Sequence, residues 1–162
     1  AVAGAALAAE RALAGPSLRA VRLPWVYGTA GLLRDLIVGL RIRRYRIVGV
    51  GENRWALISA ADAAAALVAA AGAPPGAYTA AEGPAPTQLE VVEALCAVPG
   101  HPRPDRVPPR FAALSMGGAM AEALGTSLDI ATGRLAEGGW APSDDWRREL
   151  VTLARNPLPL PG

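Results

Sequence analysis

The side chains best suited to chemistry in this sequence are one histidine, His101, and one cysteine, Cys96. A histidine can move protons near neutral pH, and a cysteine thiolate is a nucleophile. His101 stands in a proline-rich loop with no evident nucleophile beside it, so we predict a surface histidine. Cys96 lies on the preceding helix and is predicted to be a small core residue. Glu137, Asp144 and Asp145 offer carboxylates, but helix capping explains the two aspartates without chemistry.

A glycine-containing loop at residues 49–54 (GVGENR) superficially resembles a dinucleotide-binding loop. Such a loop needs a third glycine three residues after the second, where a helix begins. Arg54 stands at that place, and the residues after it are strand-like. We therefore predict a turn between two strands.

An arginine cluster is formed by Arg41, Arg43, Arg44 and Arg46 around Tyr45. Arginine beside an aromatic residue is a feature of nucleic-acid binding. The net charge is only +2, however, and no second basic patch supports this function. All 16 cationic residues are arginine, so no lysine can act as a general base, form a Schiff base or bind a phosphate in a loop.

The length and composition restrict the class of protein. A chain of 162 residues is enough for one domain with a core. One cysteine excludes an internal disulfide, and one histidine leaves only carboxylates as further zinc ligands. The sequence contains no run of about 18 apolar residues, so no membrane span is predicted. We expect a reducing, cytoplasmic location.

Apolar periodicity and breaker residues predict an α/β fold in which strands alternate with helices. Helices are predicted at residues 2–14, 31–40, 63–71, 88–97, 110–124, 130–137 and 144–154. Strands are predicted at residues 18–28, 44–48, 54–59 and 76–80, and residues 99–109 are predicted to be extended because of their prolines. Asp62, Thr87 and residues 127–129 are predicted to cap the helices that follow them.

Residues 22–28 (RLPWVYG) resemble the segment after the catalytic helix in extended short-chain dehydrogenases/reductases, the NAD(P)-dependent epimerase/dehydratase family. In that family a helix, a glycine turn and an apolar strand follow, and an acidic pair then opens a helix. Residues 49–64 (GVGENRWALISAADAA) are similar to that last piece. Residues 76–80 (GAYTA) and 139–143 (GWAPS) resemble later family segments, so the likeness runs in order from about residue 7 to about residue 150.

The resemblance implies the C-terminal part of a Rossmann-like parallel sheet plus a small α/β substrate domain. Residues 1–162 would then be a partial domain whose N-terminal cofactor-binding half is absent. The implied cofactor is NAD or NADP, although its glycine-rich binding loop is not in this chain. Pro24 and Tyr27 would lie near the nicotinamide. Arg54 would lie by the substrate cleft, where a guanidinium can pair with a phosphate or carboxylate.

The catalytic tyrosine and lysine of the family are not predicted in this chain. In the family they stand four residues apart, and the lysine stands four residues before a glutamate. If Glu10 is that glutamate, the two places hold Val2 and Ala6. Ser59 and Ala61 also replace common family residues, which weakens inference about the substrate.

These residues support three hypotheses for the function. The first is the C-terminal portion of an oxidoreductase, epimerase or dehydratase that acts on a sugar nucleotide, an alcohol or a ketone, with the isolated chain inactive. The second is a non-catalytic binding module of the same fold, which would cover its sheet edge as a homo-oligomer. The third is nucleic-acid binding through residues 41–46. We expect a small-molecule substrate as the partner, and neither nucleic acid nor membrane.

Overall fold

The computed structural model describes residues 8–13, 15–130, 132–143 and 145–156, in which parallel strands alternate with helices. The strands are β1 (Arg19–Arg22), β2 (Trp25–Tyr27), β3 (Ile47–Val48), β4 (Leu57–Ser59), β5 (Gly76–Thr79) and β6 (Arg106–Val107). The helices are α1 (Leu32–Arg41), α2 (Ala60–Gly72), α3 (Gln88–Cys96), α4 (Pro109–Met116), α5 (Gly118–Gly125), α6 (Arg134–Glu137) and α7 (Trp146–Arg155). Within this part of the chain no helix is long and apolar enough to cross a membrane.

All three strand pairs are parallel: β1 with β5, β2 with β4, and β3 with β6. Parallel neighbours require a crossover connection, which here contains at least one helix for every pair. The predicted α/β class is therefore confirmed. The turn at residues 49–53 does not join a hairpin, because β3 pairs with the distant β6 and β4 with β2.

Strand β4 separates two hydrophobic clusters. Its Leu57 belongs to the larger cluster, and the next residue, Ile58, belongs to the smaller one. Successive side chains of a strand point to opposite faces, so one buried strand can serve two cores. The smaller cluster is filled by the inner face of α2 and by three larger side chains, Tyr78, Leu135 and Trp140.

The prediction that Asp62 caps helix α2 is wrong. Ser59 is the N-cap, in an extended conformation, and its hydroxyl accepts a hydrogen bond from the Asp62 amide at 2.9 Å. The helix therefore begins directly after β4. The Asp62 carboxylate is used elsewhere: it accepts hydrogen bonds from the amide of Ser143 at 3.0 Å and from its hydroxyl at 2.8 Å.

Other predicted elements also differ from the structure. The strand predicted at residues 18–28 is two strands, β1 and β2, which pair with different partners. The helix predicted at residues 110–124 is two helices, because Gly117 has φ +83°, which no α-helix contains. Residues 127–129 do not cap a helix, since Leu128 pairs in extended conformation beside Trp55, and α6 begins only at Arg134. The strand predicted at residues 44–48 is reduced to β3, because only Ile47 and Val48 find a partner strand.

The N-terminal helix is only partly within the described residues, which show helix at residues 8–12. Glu10 accepts two hydrogen bonds from the Arg22 guanidinium, at 2.8 and 3.1 Å, which ties this helix to β1. This pairing holds the pKa of the Glu10 carboxyl below its ordinary value. Val2 and Ala6, the predicted places of the missing catalytic pair, lie outside the described residues, as does Asp144.

Candidate functional site

A buried tyrosine–carboxylate contact lies where β2 and β4 end. Tyr27, the last residue of β2, donates its phenol proton to Glu82 Oε1 at 2.6 Å. The amide of Ser59, the last residue of β4, donates to the same oxygen at 2.7 Å. Tyr27 is 2% exposed and Glu82 is 4% exposed. The carboxyl ends of parallel strands are where α/β folds place ligands, so this edge is the candidate site.

Glu82 was missed by the sequence analysis. It follows β5 by three residues and lies beside β4, where its amide donates to the carbonyl oxygen of Leu57 at 2.9 Å. An acidic residue just after an apolar strand and before Gly83 was the available signal. A carboxyl group held by two donors away from bulk water is fixed in position at this edge.

Pro24 stands immediately before β2, and Tyr27 is the last residue of that strand. Pro24 is buried between β1 and β2, and Tyr27 closes β2 with its hydroxyl directed at Glu82. The packing thus places Pro24 at the start and Tyr27 at the end of β2. Contact of either residue with a cofactor remains a prediction.

Arg54 is held at the opposite end of the β4 segment. Its Nη1 donates to the carbonyl oxygen of Ala85 at 2.8 Å, and its amide donates to the Ser127 hydroxyl at 3.1 Å. Arg54 is nevertheless exposed, so further guanidinium N–H groups face solvent. Ser59 pairs with Tyr27 in the strand register. Arg54 precedes Ser59 by five residues, which corresponds to roughly 16 Å between them along an extended chain. The structure does not bring Tyr27 and Arg54 into contact.

The late segment at residues 139–143 is fixed to α2 through the Asp62–Ser143 hydrogen bonds. Trp140 packs in the smaller cluster. Asp62 is buried, so its carboxylate serves this tertiary contact rather than an open cleft. This link joins two segments that the family resemblance had identified separately.

The other sequence candidates have structural roles or lie apart from this edge. The glycine loop is a turn: Gly51 has φ +81°, and a Cβ there would lie 3.0 Å from Ile47 Cγ2. Cys96 is partly buried, and burial raises the pKa of its thiol, which disfavours the nucleophilic thiolate. His101 is not on the surface as predicted but 4% exposed, because the chain turns back over the end of α3. Among the described residues, no group of His, Cys, Asp and Glu could hold a metal ion.

No protein-family model and no curated protein sequence matches the chain. Solved structures do match it. A human epimerase family protein with NADPH is 20% identical, with a TM-score of 0.74 over 86% of this chain and 49% of the other. The Thermus thermophilus UDP-glucose 4-epimerase in complex with NAD is 18% identical, with a TM-score of 0.65 over 93% and 50%. The Bacillus anthracis dTDP-glucose 4,6-dehydratase in complex with NAD is 17% identical, with a TM-score of 0.64 over 94% and 48%.

The chain thus spans about half the length of the structures that it matches. These proteins are of the epimerase/dehydratase kind that the sequence resembles, and they were solved with NADPH or NAD. The likeness confirms the predicted fold, including the Rossmann-like relationship, and is consistent with the C-terminal half of such a protein.

Proposed function

We propose that this chain is the C-terminal half of an NAD(P)-dependent oxidoreductase of the epimerase or dehydratase type. The observation that carries the proposal is the fold itself: 86% of the chain superimposes on about half of an epimerase family protein that holds NADPH. In such an enzyme the coenzyme supplies hydride transfer. The residues of this chain would form one wall of the cleft, and the chain alone is expected to be inactive.

The proposed coenzyme side of that wall is the edge at Tyr27 and Glu82, with Pro24 at the start of the same strand. Two buried hydrogen bonds fix Glu82 there, so the edge presents a rigid arrangement. Pro24 restricts the backbone between β1 and β2 and thereby helps to set where β2 begins. We assign Tyr27 the role of a positioning residue, since its hydroxyl is engaged by Glu82.

The proposed substrate is a sugar nucleotide, with Arg54 at its phosphate. Two structural neighbours are named as enzymes of UDP-glucose and dTDP-glucose. Arg54 is anchored by one Nη1 hydrogen bond and remains exposed, which leaves donors for a phosphate. Its separation of roughly 16 Å from the Tyr27 end of the strand suits an elongated substrate.

The outer face of α2 is apolar and exposed, which supports the proposal that another half of the protein covers it. Leu67 is 52% and Val68 is 75% exposed, and the other exposed positions of this helix are alanine and glycine. A helix that is apolar all round is normally buried in a larger protein. We propose that the coenzyme-binding half packs against this face or beside it.

Coenzyme titration tests the proposal. The 162-residue chain is expected to show no saturable NADH or NADPH binding. A longer polypeptide that includes the residues encoded upstream is expected to bind one of them. Micromolar binding by this chain alone would contradict its assignment as the half without the coenzyme loop. Absence of binding by the longer polypeptide would overturn the oxidoreductase function.

A matched pair of arginine variants tests the substrate side in the longer polypeptide. Arg54→Ala is expected to raise KM for a UDP- or dTDP-sugar about tenfold or more, because a charge-assisted hydrogen bond is lost. Arg110→Ala, which removes an exposed arginine from α4, is expected to leave KM unchanged. Equal effects of the two variants would remove Arg54 from the site.

A further inference from the structure

A groove lies where the last turns of three helices meet. Arg41 ends α1, His101 follows α3, and Arg155 ends α7. Two adjoining cavities of about 360 and 390 Å³ share Arg41 and His101 as lining residues. We call this feature the arginine groove; it joins the arginine cluster and the histidine that the sequence analysis had treated separately.

The arginine groove is positively charged. Arg41 lines both cavities, Arg155 lines the first and Arg43 lines the second, and no carboxylate lines either. In the part of the chain that the structure describes, these three guanidiniums form no salt bridge. Neighbouring arginines do find partners: Arg103 pairs with Glu93 at 2.5 Å, for example. Each cavity is thus lined by two such cations, with Arg41 shared by both, and they create an attractive potential for an anion.

The backbone of Arg43 gives independent support. Its φ is +58°, and within the described ranges it is the one residue other than glycine with positive φ. It follows the C-cap Ile42, at the position where helices usually carry glycine. An L-residue is strained in this conformation, and such strain is concentrated at functional sites. Arginine thus occupies a position where glycine would fit the backbone better.

His101 adds an unpaired polar atom. Its ring Nδ1 lies 3.3 Å from the carbonyl oxygen of Val98, while Nε2 is buried with no hydrogen-bond partner among the described residues. Buried polar atoms are normally satisfied, so an exception calls for a partner. Helix dipoles account for arginines at the ends of α1 and α7, but they explain neither the strained Arg43 nor the unpaired imidazole nitrogen.

We propose that the arginine groove binds a phosphate-bearing small molecule. Guanidinium groups bind phosphate oxygens in bidentate fashion, and Arg41 lines one cavity with Arg155 and the adjoining cavity with Arg43. The cavity volumes fall within the lower part of the range for small-molecule sites. The groove is built from elements other than those that carry Tyr27, Glu82 and Arg54, so this binding is separate from the proposed oxidoreductase site.

Titration of the full chain with inorganic phosphate and pyrophosphate tests the proposal, with chloride at matched ionic strength as the reference. Saturable shifts of the arginine Nε–H signals are expected in NMR spectra. Arg41→Ala and Arg155→Ala are each expected to weaken pyrophosphate binding about tenfold or more, since each removes a charged hydrogen bond. Arg44→Ala changes the net charge equally but lies outside both cavity linings, so it is expected to leave the affinity within about twofold.

Arg43→Gly provides a readout in which stability and binding change in opposite directions. Relief of the backbone strain is expected to raise Tm by about 2–4 °C, while loss of the guanidinium lowers the pyrophosphate affinity. Equal losses of affinity in the Arg41 and Arg44 variants would show diffuse attraction and overturn the site. So would the absence of saturable binding, or stronger binding of an oligonucleotide that every arginine variant weakens alike.

Discussion

Replacing Tyr27 by phenylalanine tests the buried contact on which the candidate site depends. The substitution keeps the ring and removes the hydroxyl that donates to Glu82 at 2.6 Å. Both residues are almost completely buried, so water cannot easily replace the lost donor. Hydrogen bonds to charged groups contribute about 1.5–3 kcal/mol. For a chain of this length that corresponds to a fall in Tm of about 3–12 °C.

Urea unfolding of a double-mutant cycle measures the contact. Tyr27→Phe, Glu82→Gln and the double variant are expected to show a coupling free energy above about 0.5 kcal/mol, the limit for independent sites. Tyr78→Phe is the matched control, because its hydroxyl donates to the neutral carbonyl of Pro74. It is expected to cost only about 0.5–1.5 kcal/mol. Additive effects in the cycle, or a Tyr27→Phe loss no larger than that of the control, would refute a buried charged hydrogen bond.

Three further outcomes are expected. Thr87→Ala removes the N-cap of α3 and costs about 1 kcal/mol in urea unfolding. Hydrogen bonds from the Thr87 amide and, second, from its hydroxyl lower the pKa of Glu90, so their contribution to stability is lost as pH falls through that lowered pKa. The variant keeps the amide and loses the hydroxyl, so the pKa of Glu90 measured by NMR should rise part of the way, and an unchanged value would contradict the side-chain hydrogen bond. Gly51→Ala should destabilise by about 1 kcal/mol or more beyond Gly117→Ala, since both have positive φ but only Gly51 is crowded; equal losses would exclude crowding. The Cys96 thiol, whose pKa is raised by burial, should react with iodoacetamide at pH 8 more slowly than free cysteine, and faster reaction would contradict its burial.

Local patterns in the sequence located the regular elements. The helical stripe at residues 31–40 predicted α1, and Thr87 caps α3 as predicted; the structure adds Glu90, which completes a capping box. The segment at residues 76–80 became β5. These elements follow from spacing of 2 or 3.6 residues and from caps, which act within a few residues of the chain.

Capping was predicted less well where a tertiary contact competed. Asp62 is a good N-cap by residue type, but its carboxylate is bound by Ser143, 81 residues away, and Ser59 caps the helix instead. The helix predicted through residues 117 and 118 broke at the glycine whose φ is +83°. Both differences arise because a residue's type permits several local conformations and packing selects one of them.

The sequence by itself determined the α/β class, most of the helices and the family likeness, since these depend on periodicity and ordered motifs. Only the tertiary structure decided that Glu82 meets Tyr27 across 55 residues, and that Arg54 stands at the far end of β4 from them. It also placed His101 in a groove with arginines from two other helices. The physical reason is that side chains distant in sequence meet only when parallel pairing and helix packing fix the path of the chain, and no local pattern encodes that path.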